Sequence, residues 1–225
     1  MLKFACAYKM GGDYNIDDVV CLSRQVKAQL SIPHEFVVLS DDPDLVSDSY
    51  ITVKKLNQDK WWGWWCVIEV FRLTGPTFFV GLDNIFMGSL DRVGELALTC
   101  PPDEIYMARP QPMALKRGDL YSSAMMIWNG DWRWIYEQLT PKHIKRFVGE
   151  EKYTSWQLHR NNCKVRFFQD YHTGFYSYKN DLLRRFNGRV PEDAQIITFH
   201  GHPRPSQCKE RWIQDIRNRG SLHAC

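Results

Sequence analysis

With 225 residues, 44% hydrophobic and 24% charged, the chain is large enough to bury one substantial core and has an ordinary globular composition. No apolar run nears the ~20 residues that span a bilayer, and seven scattered cysteines without a Cys-x-x-Cys pair exclude a zinc framework and a disulfide scaffold. The net charge of +3 is unevenly spread: residues 1–110 carry 10 Lys/Arg against 15 Asp/Glu, and residues 111–225 carry 19 against 11.

The segment LKFACAY is apolar and runs into Gly11-Gly12. Its apolar stretch is short and no charged n-region with a small-residue cleavage site accompanies it, so it reads as a first buried strand, not a signal peptide. IDDVVCLSRQVKAQL follows as a helix, with Val19, Val20, Leu22, Val26 and Leu30 at helical spacing. Asp17 and Asp18 suit the positive end of its dipole. EFVVLS is a second strand ending in the polar turn SDDPD, and Tyr50-Ile51-Thr52-Val53 is a third. WWGWWCVIEVFRL is a helix that turns its aromatic residues inward and stops at Gly75-Pro76. TFFVGLDNIFMG is a buried strand whose apolar run breaks at Gly81-Leu82-Asp83.

In the second half SSAMMIW is an apolar strand, with Met125-Met126 in the core. WRWIYEQLTPKHIKRFV is helical on both sides of Pro141, and KVRFFQ and TGFYSYK are short strands. AQIITFHGHPRP is a strand entering a loop rich in His, Pro and Arg. CKERWIQDIRNRG is an amphipathic helix with Trp212, Ile213 and Ile216 on one face. The β-α-β order predicts an α/β domain over 1–225, with a mixed, mainly parallel sheet flanked by helices. Ligands of such sheets bind beyond the carboxyl ends of the strands, where Tyr8, Ser40-Asp41 and Asp83 fall.

Two groups read in either of two ways. The cluster Trp61, Trp62, Trp64 and Trp65 is helix packing or a sugar-stacking platform. Lys142-His143-Lys145-Arg146 and Arg184-Arg185, interleaved with Trp132, Trp134, Phe147 and Tyr153, are solvated surface and packing, or the contacts of a nucleic-acid acceptor. The basic second half favours an anionic partner in the same way.

Five segments, in order, resemble a family of bacterial and phage GT-A glycosyltransferases distantly related to glycogenin. GGDYNIDDVVCL…PHEFVVLSDDPD resembles the family's opening, GWWCVIEVF its G-W-W-x-K-L-E-L-F helix, and FFVGLDNIFMGSLD its strand with D-x-D. YSSAMMIWNGD resembles its N-S-S-V-M-V-W segment, and SYK…VPEDAQIITFHGHPRP its closing S-Y-K…F-H-G-x-P-K-P stretch. The resemblance spans Gly11 to Pro205 and implies a Rossmann-like GT-A domain, with a nucleotide-sugar half over about 1–110 and an acceptor half over about 111–225.

It implies transfer of a sugar from a nucleotide-diphosphate donor, a UDP-sugar, to an acceptor hydroxyl, with retention of anomeric configuration. The acceptor would be anionic, such as hydroxymethylated phage DNA or a cell-surface glycan, and the setting the cytoplasm of a bacterium or phage-infected host, in keeping with reduced thiols. Charge that grows on the leaving diphosphate needs a divalent metal or fixed cations. By resemblance Asp83 and His200 would hold Mn²⁺ or Mg²⁺, with Asn84 a neutral oxygen beside them. Arg204 would take the place of the family's lysine at the diphosphate, and Gly201 would let backbone approach a phosphate. Tyr8, Tyr14, Ser40 and Asp41 would lie near the base and ribose, Ser122 at the donor sugar, and Glu150 or Glu151 near the reacting carbon; His202 reads equally as a loop residue. Three positions depart from the pattern: Gly81 replaces the first acid, Val67 a lysine and Tyr121 an asparagine. These departures motivate a second reading, a non-catalytic nucleotide-sugar-binding module. A third is a nucleic-acid-binding protein without transferase activity.

Overall fold

The computed structural model describes residues 1–45, 49–57, 63–116, 118 and 120–219. Seven strands form the main sheet: β1 (Leu2–Tyr8), β2 (His34–Ser40), β3 (Ile51–Lys55), β4 (Gly75–Val80), β6 (Glu104–Ala108), β7 (Ser122–Gly130) and β8 (Lys164–Phe167). Their order is β3-β2-β1-β4-β7-β6-β8, and β7 alone runs against the rest. A smaller sheet joins β5 (Asn84–Phe86), β10 (Ile196–Thr198) and β9 (Phe175–Ser177), in the order β5-β10-β9.

Strict alternation along the central strands builds two cores, one on each face of the sheet. Leu2, Phe4, Cys6 and Tyr8 of β1, Phe36 and Val38 of β2, Phe78 and Val80 of β4, and Met125 and Ile127 of β7 share one core. It is covered by α1 (Ile16–Gln29) and α2 (Asp91–Thr99). Ala5, Val37, Leu39, Phe79, Met126 and Trp128 face the other way. They meet the 3₁₀ helix Gly63–Arg72, and Ile135 and Tyr153 of two helices that follow β7. Helix α3 (Pro112–Lys116) precedes β7; α4 (Arg133–Glu137), α5 (Pro141–Arg146) and α6 (Glu150–Arg160) come after it. A third cluster joins the small sheet, the π-helical turn Tyr178–Arg185 and α7 (Arg211–Arg219). Arg217 of α7 pairs with the buried Asp18 of α1 at 2.9 Å, which ties this layer to the rest.

Several elements differ from their sequence-based expectation. TFFVGLDNIFMG is not one strand: β4 ends in the main sheet at Val80 and β5 begins in the small sheet at Asn84. The chain crosses between the sheets over residues 81–83. Asp17 and Asp18 lie in the first turn of α1 as expected, and Asn15 caps it: its side chain accepts from the Asp18 N–H while Asp18 accepts from the Asn15 N–H. TGFYSYK stops as a strand at Ser177, whose hydroxyl accepts from the Asn180 N–H and starts the π-helical turn. Of the tryptophan cluster, Trp65 is buried as expected but Trp64 points to solvent; Trp61 and Trp62 lie outside the described residues. Trp132 and Tyr153 are buried packing residues, so neither offers its ring to an acceptor.

The small sheet depends on one turn. Gly174 has φ +79°, its carbonyl accepts from the N–H groups of Gln195 and Ile196, and a β-carbon there would fall 2.2 Å from the Asp193 carbonyl oxygen. Gly188 has a similar φ of +81° but open space around it. Both Gly174→Ala and Gly188→Ala should lose the ~1 kcal/mol or more of a strained left-handed residue. Gly174→Ala should lose measurably more in urea unfolding, because backbone must also move; equal losses would show that the turn is not the anchor described.

Candidate functional site

The strand order reverses at β1, which has β2 on one side and β4 on the other. This switch point opens a crevice at the carboxyl ends of the strands. Tyr8 ends β1, Ser40 ends β2, and residues 81–83 leave β4 there. The antiparallel β7 starts at the same edge, so Ser122 and Ser123 join it from the opposite direction. Thr198 ends β10, and residues 199–204 return to the edge from the small sheet, where the Phe199 N–H donates to the Asp83 carbonyl oxygen at 2.8 Å.

Asp83 sits in a recess with its carboxylate 19% exposed. Burial raises its pKa to about 6, against the pull of the Arg204 guanidinium. Arg204 Nη1 lies 3.7 Å from Asp83 Oδ2 and its Nη2 donates to Asp13 Oδ2 at 2.7 Å. The guanidinium also lies over the Tyr14 ring, 4.8 Å from its centroid. That bond from Arg204 holds the Asp13 carboxyl below the usual carboxylate range. Arg204 Nε is buried and has no hydrogen-bond partner among the described residues.

Next to this group stands a carboxylate pair at the start of α6. The Ser122 hydroxyl donates to Glu151 Oε2 at 2.8 Å and the Ser123 N–H to the same oxygen at 3.1 Å. The Ser123 hydroxyl donates to Glu150 Oε1 at 2.6 Å, and the Glu151 N–H to Glu150 Oε2 at 2.7 Å. Glu150 is 8% exposed. Its burial raises the carboxyl to about 7, outweighing the Ser123 bond that favours its charge, and the neighbouring Glu151 adds to the rise. One acid of the pair is thus near neutral while the other is held by two donors at the mouth.

At the other end of the crevice Asp41 accepts from Lys9 Nζ at 2.6 Å and from the Met10 N–H at 2.9 Å. Burial opposes its charge, yet these bonds together keep its pKa below the ordinary value. Burial and the nearby Asp42 push the Tyr8 phenol up, so it stays neutral. The Ser40 hydroxyl, expected at the base or ribose, accepts from the Asp42 N–H at 3.0 Å and shapes the turn that carries Asp41.

His200 is half-buried with its Nε2 unpartnered, and burial, with the Lys179 ammonium adding, lowers it to about 4. It is therefore neutral at pH 7. Gly201 is a glycine for its φ of +66°, since a β-carbon there would meet Lys179 Nζ only at an ordinary 3.8 Å. His202 is exposed and bonds Gln207 at 3.1 Å.

The expected metal set does not fit these residues. Among the described residues no three His, Cys, Asp or Glu side chains come together as a metal-binding group. The Asn84 amide turns its Nδ2, not its Oδ1, towards Asp83 Oδ1, at 3.2 Å, so its oxygen points elsewhere. Val67 and Tyr121, which stand where the resembling family has a lysine and an asparagine, both pack into the apolar core of their face.

The sequence reading missed Asp13, Lys9, Ser123 and Lys179. Asp13 had a signal: it lies in the Gly11-Gly12 loop directly after the first strand, on the ligand side. Lys179, half-buried with no hydrogen-bond or ion-pair partner among the described residues, had one too: it is the lysine of the S-Y-K match, and the π-helical turn Tyr178–Arg185 brings it beside Gly201.

No protein-family model and no curated protein matches the chain. Solved structures do. The glycosyltransferase GlyE of Streptococcus pneumoniae superposes with a TM-score of 0.66 at 12% identity, over 97% of this chain and 59% of GlyE. The galactosyltransferase LgtC, solved with donor and acceptor sugar analogues, gives 0.63 at 11% identity, over 97% of this chain and 95% of LgtC. An active-site mutant of LgtC gives 0.61 at 11%, over 96% and 94%. The chain therefore spans little more than half the length of GlyE and nearly all of LgtC. At this identity the likeness is one of architecture: the mixed, mainly parallel sheet with its flanking helices is the fold of GT-A glycosyltransferases.

Proposed function

We propose that the chain is a glycosyltransferase that moves a sugar from a nucleoside-diphosphate donor, a UDP-sugar, to the hydroxyl of an anionic acceptor. The observation that carries this reading is the meeting of Asp83, Arg204 and the Glu150-Glu151 pair at the switch point of a GT-A sheet. Tyr8 and Asp41 would receive the base and ribose, Tyr14 and Arg204 the diphosphate, and Ser122 with Glu151 the sugar. In the reaction the acceptor oxygen bonds to the anomeric carbon, the carbon–oxygen bond to the β-phosphate breaks, and the acceptor's proton passes to the diphosphate oxygen it displaces. Negative charge gathers on the leaving group, where Arg204 stands. The Glu151 carboxylate would stabilise the positive sugar ring, and retention is the outcome the family resemblance implies.

The acceptor reading rests on the α5–α6 surface. Residues 141–160 carry Lys142, Lys145, Arg146, Lys152 and Arg160, and their only acids are Glu150 and Glu151, drawn to the serines of β7. Arg146 and Arg160 lie over the Trp156 ring at 5.5 and 5.0 Å. Beside them Leu120, Phe147, Lys152, Trp156 and His159 line a cavity of about 220 Å³. Cations with an aromatic floor suit an anionic chain bearing a ring, as in hydroxymethylated phage DNA or an anionic cell-surface glycan. The non-catalytic reading is favoured by Gly81 and Val67, which stand where the resembling family has an acid and a lysine, and by Tyr121, which stands where it has the amide of an asparagine.

Three outcomes are expected. Incubation with UDP-sugars should release UDP, and Asp83→Ala and Arg204→Met should each slow release by about a hundredfold. Nucleotide binding without release, across several sugars and with acceptors present, supports the module instead.

A second outcome follows from Glu150. Its folded pKa, raised from 4.5 to about 7, means that the folded chain holds this proton more tightly than the unfolded one. Its contribution is present below the unfolded value and lost as pH rises through the folded one. Glu150→Gln should therefore gain stability relative to wild type between about pH 5 and pH 8 in denaturant titrations; a pH-independent difference would contradict the raised value.

Third, acceptor binding should weaken steeply with salt, and Lys145→Ala with Arg146→Ala should lower the slope of log affinity against log salt on duplex DNA by roughly 1.8. Parallel titrations with hydroxymethylated duplex DNA and with an anionic glycan separate the two acceptors. A flat salt profile for both would remove the anionic acceptor.

A further inference from the structure

Resting on the reading of the mouth as a nucleoside-diphosphate site, we propose that the leaving diphosphate is neutralised by two protein cations, Arg204 and Lys179, and that the reaction needs no divalent metal.

The argument starts from what surrounds Asp83. A hard divalent ion needs several converging oxygen ligands with exposed lone pairs. Both Asp83 oxygens instead face protein donors: the Asn84 amide at 3.2 Å from Oδ1, and Arg204 Nη1 at 3.7 Å from Oδ2. A metal on this carboxylate would sit against a guanidinium of like sign, in a recess where repulsion is poorly screened. A β-carbon at position 81 would lie 2.7 Å from Asp83 Oδ1, so a side chain there would require the Asp83 carboxylate to swing aside from its present place. The carboxylate has folded back into the space that a side chain at 81 would occupy.

The cations are built for the task. Arg204 is held in place by Asp13 and the Tyr14 ring, and its buried Nε has no partner among the described residues. It is a positioned guanidinium whose Nη groups carry more hydrogens than the single bond to Asp13 uses, and so it can donate to a phosphate oxygen as well. Lys179 comes from the π-helical turn and faces the exposed backbone of Gly201, three residues before Arg204. Lys179 has no acid partner among the described residues, and its charge is felt by His200, which stays neutral. Lys179 thus stands beside the 200–204 loop at Gly201 and Arg204 stands at its end, so an anion bound along that loop would meet both cations. Asp83 then positions Arg204 instead of binding an ion.

The test is titration calorimetry of the intact chain with UDP, GDP, ADP, CDP and dTDP, in chelator and again with Mn²⁺ or Mg²⁺, alongside donor-release rates in both media. The tightest nucleoside diphosphate should bind within about twofold with and without metal, and release should continue in chelator. Arg204→Met and Lys179→Met should each weaken diphosphate binding by about tenfold or more, while binding of the bare nucleoside is unchanged; Arg204→Lys should recover part of the loss. Affinity or release that rises tenfold or more with metal overturns the proposal and leaves the donor site standing. So does diphosphate binding indifferent to Lys179→Met and Arg204→Met. If no nucleoside diphosphate binds in either medium, the donor reading itself falls, and this inference with it.

Discussion

The molecule turns on the three residues that carry the chain out of one sheet and into another. Strand β4 is apolar on both faces and buried to Val80, so it could run on as core. It stops because the Gly81 N–H closes the last rung on the Ala124 carbonyl oxygen, and the Asp83 carbonyl oxygen then takes the Phe199 N–H of the second sheet. These two backbone hydrogen bonds satisfy groups that a break in a buried strand would otherwise leave unpaired. They also fix where the acid stands. Asp83 is neither in a strand nor in a mobile loop but between two ladders, and its carboxylate points into the crevice at which the strand order reverses. The small sheet matters for this reason: without β10 beside β5, the 200–204 loop would have no fixed relation to the main sheet.

Electrostatics in that crevice follow from burial set against hydrogen-bonded partners. Asp13 and Asp41 accept charge-assisted bonds from Arg204 and Lys9, which hold them below the usual carboxylate range. Asp83 and Glu150 are less well compensated, and burial shifts them towards neutrality, to about 6 and about 7. Glu150 and Glu151 are sequence neighbours with different surroundings, and this separates them. Glu150 is drawn under β7 by the Ser123 hydroxyl, whereas Glu151 is held at the mouth by Ser122 and the Ser123 N–H. Two carboxylates with divergent proton affinities, set by environment, are a common feature of sites that handle charge during bond cleavage.

Much of this was legible in the sequence, for reasons that can be named. The alternation of Phe4, Cys6 and Tyr8, or of Phe36 and Val38, is forced by a two-faced sheet, and the apolar run before Gly81 marks a central strand. Asp83, Glu150, Glu151, Ser122 and Arg204 were all singled out, and they meet at one edge. What was not legible depended on partners distant in sequence. The transfer of the chain between sheets at 81–83 is decided by Ala124 and Phe199. The inward turn of Trp65 and outward turn of Trp64 are decided by where the 3₁₀ helix Gly63–Arg72 meets Tyr153. Ser40 is expected near the base or ribose, and the structure adds a local bond that sequence reading did not give: its hydroxyl accepts the Asp42 N–H in the turn that carries Asp41.

The three departures from the family pattern each fit their surroundings. Val67 and Tyr121 lie on the face of the sheet that also holds Trp65, Trp128 and Tyr153, and both extend that core. A lysine at 67 would need a carboxylate or phosphate partner in a region now filled by aromatic rings; valine needs none. Gly81 leaves the edge beyond β4 without a side chain, and Asp83 Oδ1 fills the space beside it, 2.7 Å from where a β-carbon would stand. Arg204 is shared between Asp13 and Asp83, and that shared guanidinium is the arrangement from which any activity at this edge has to be built.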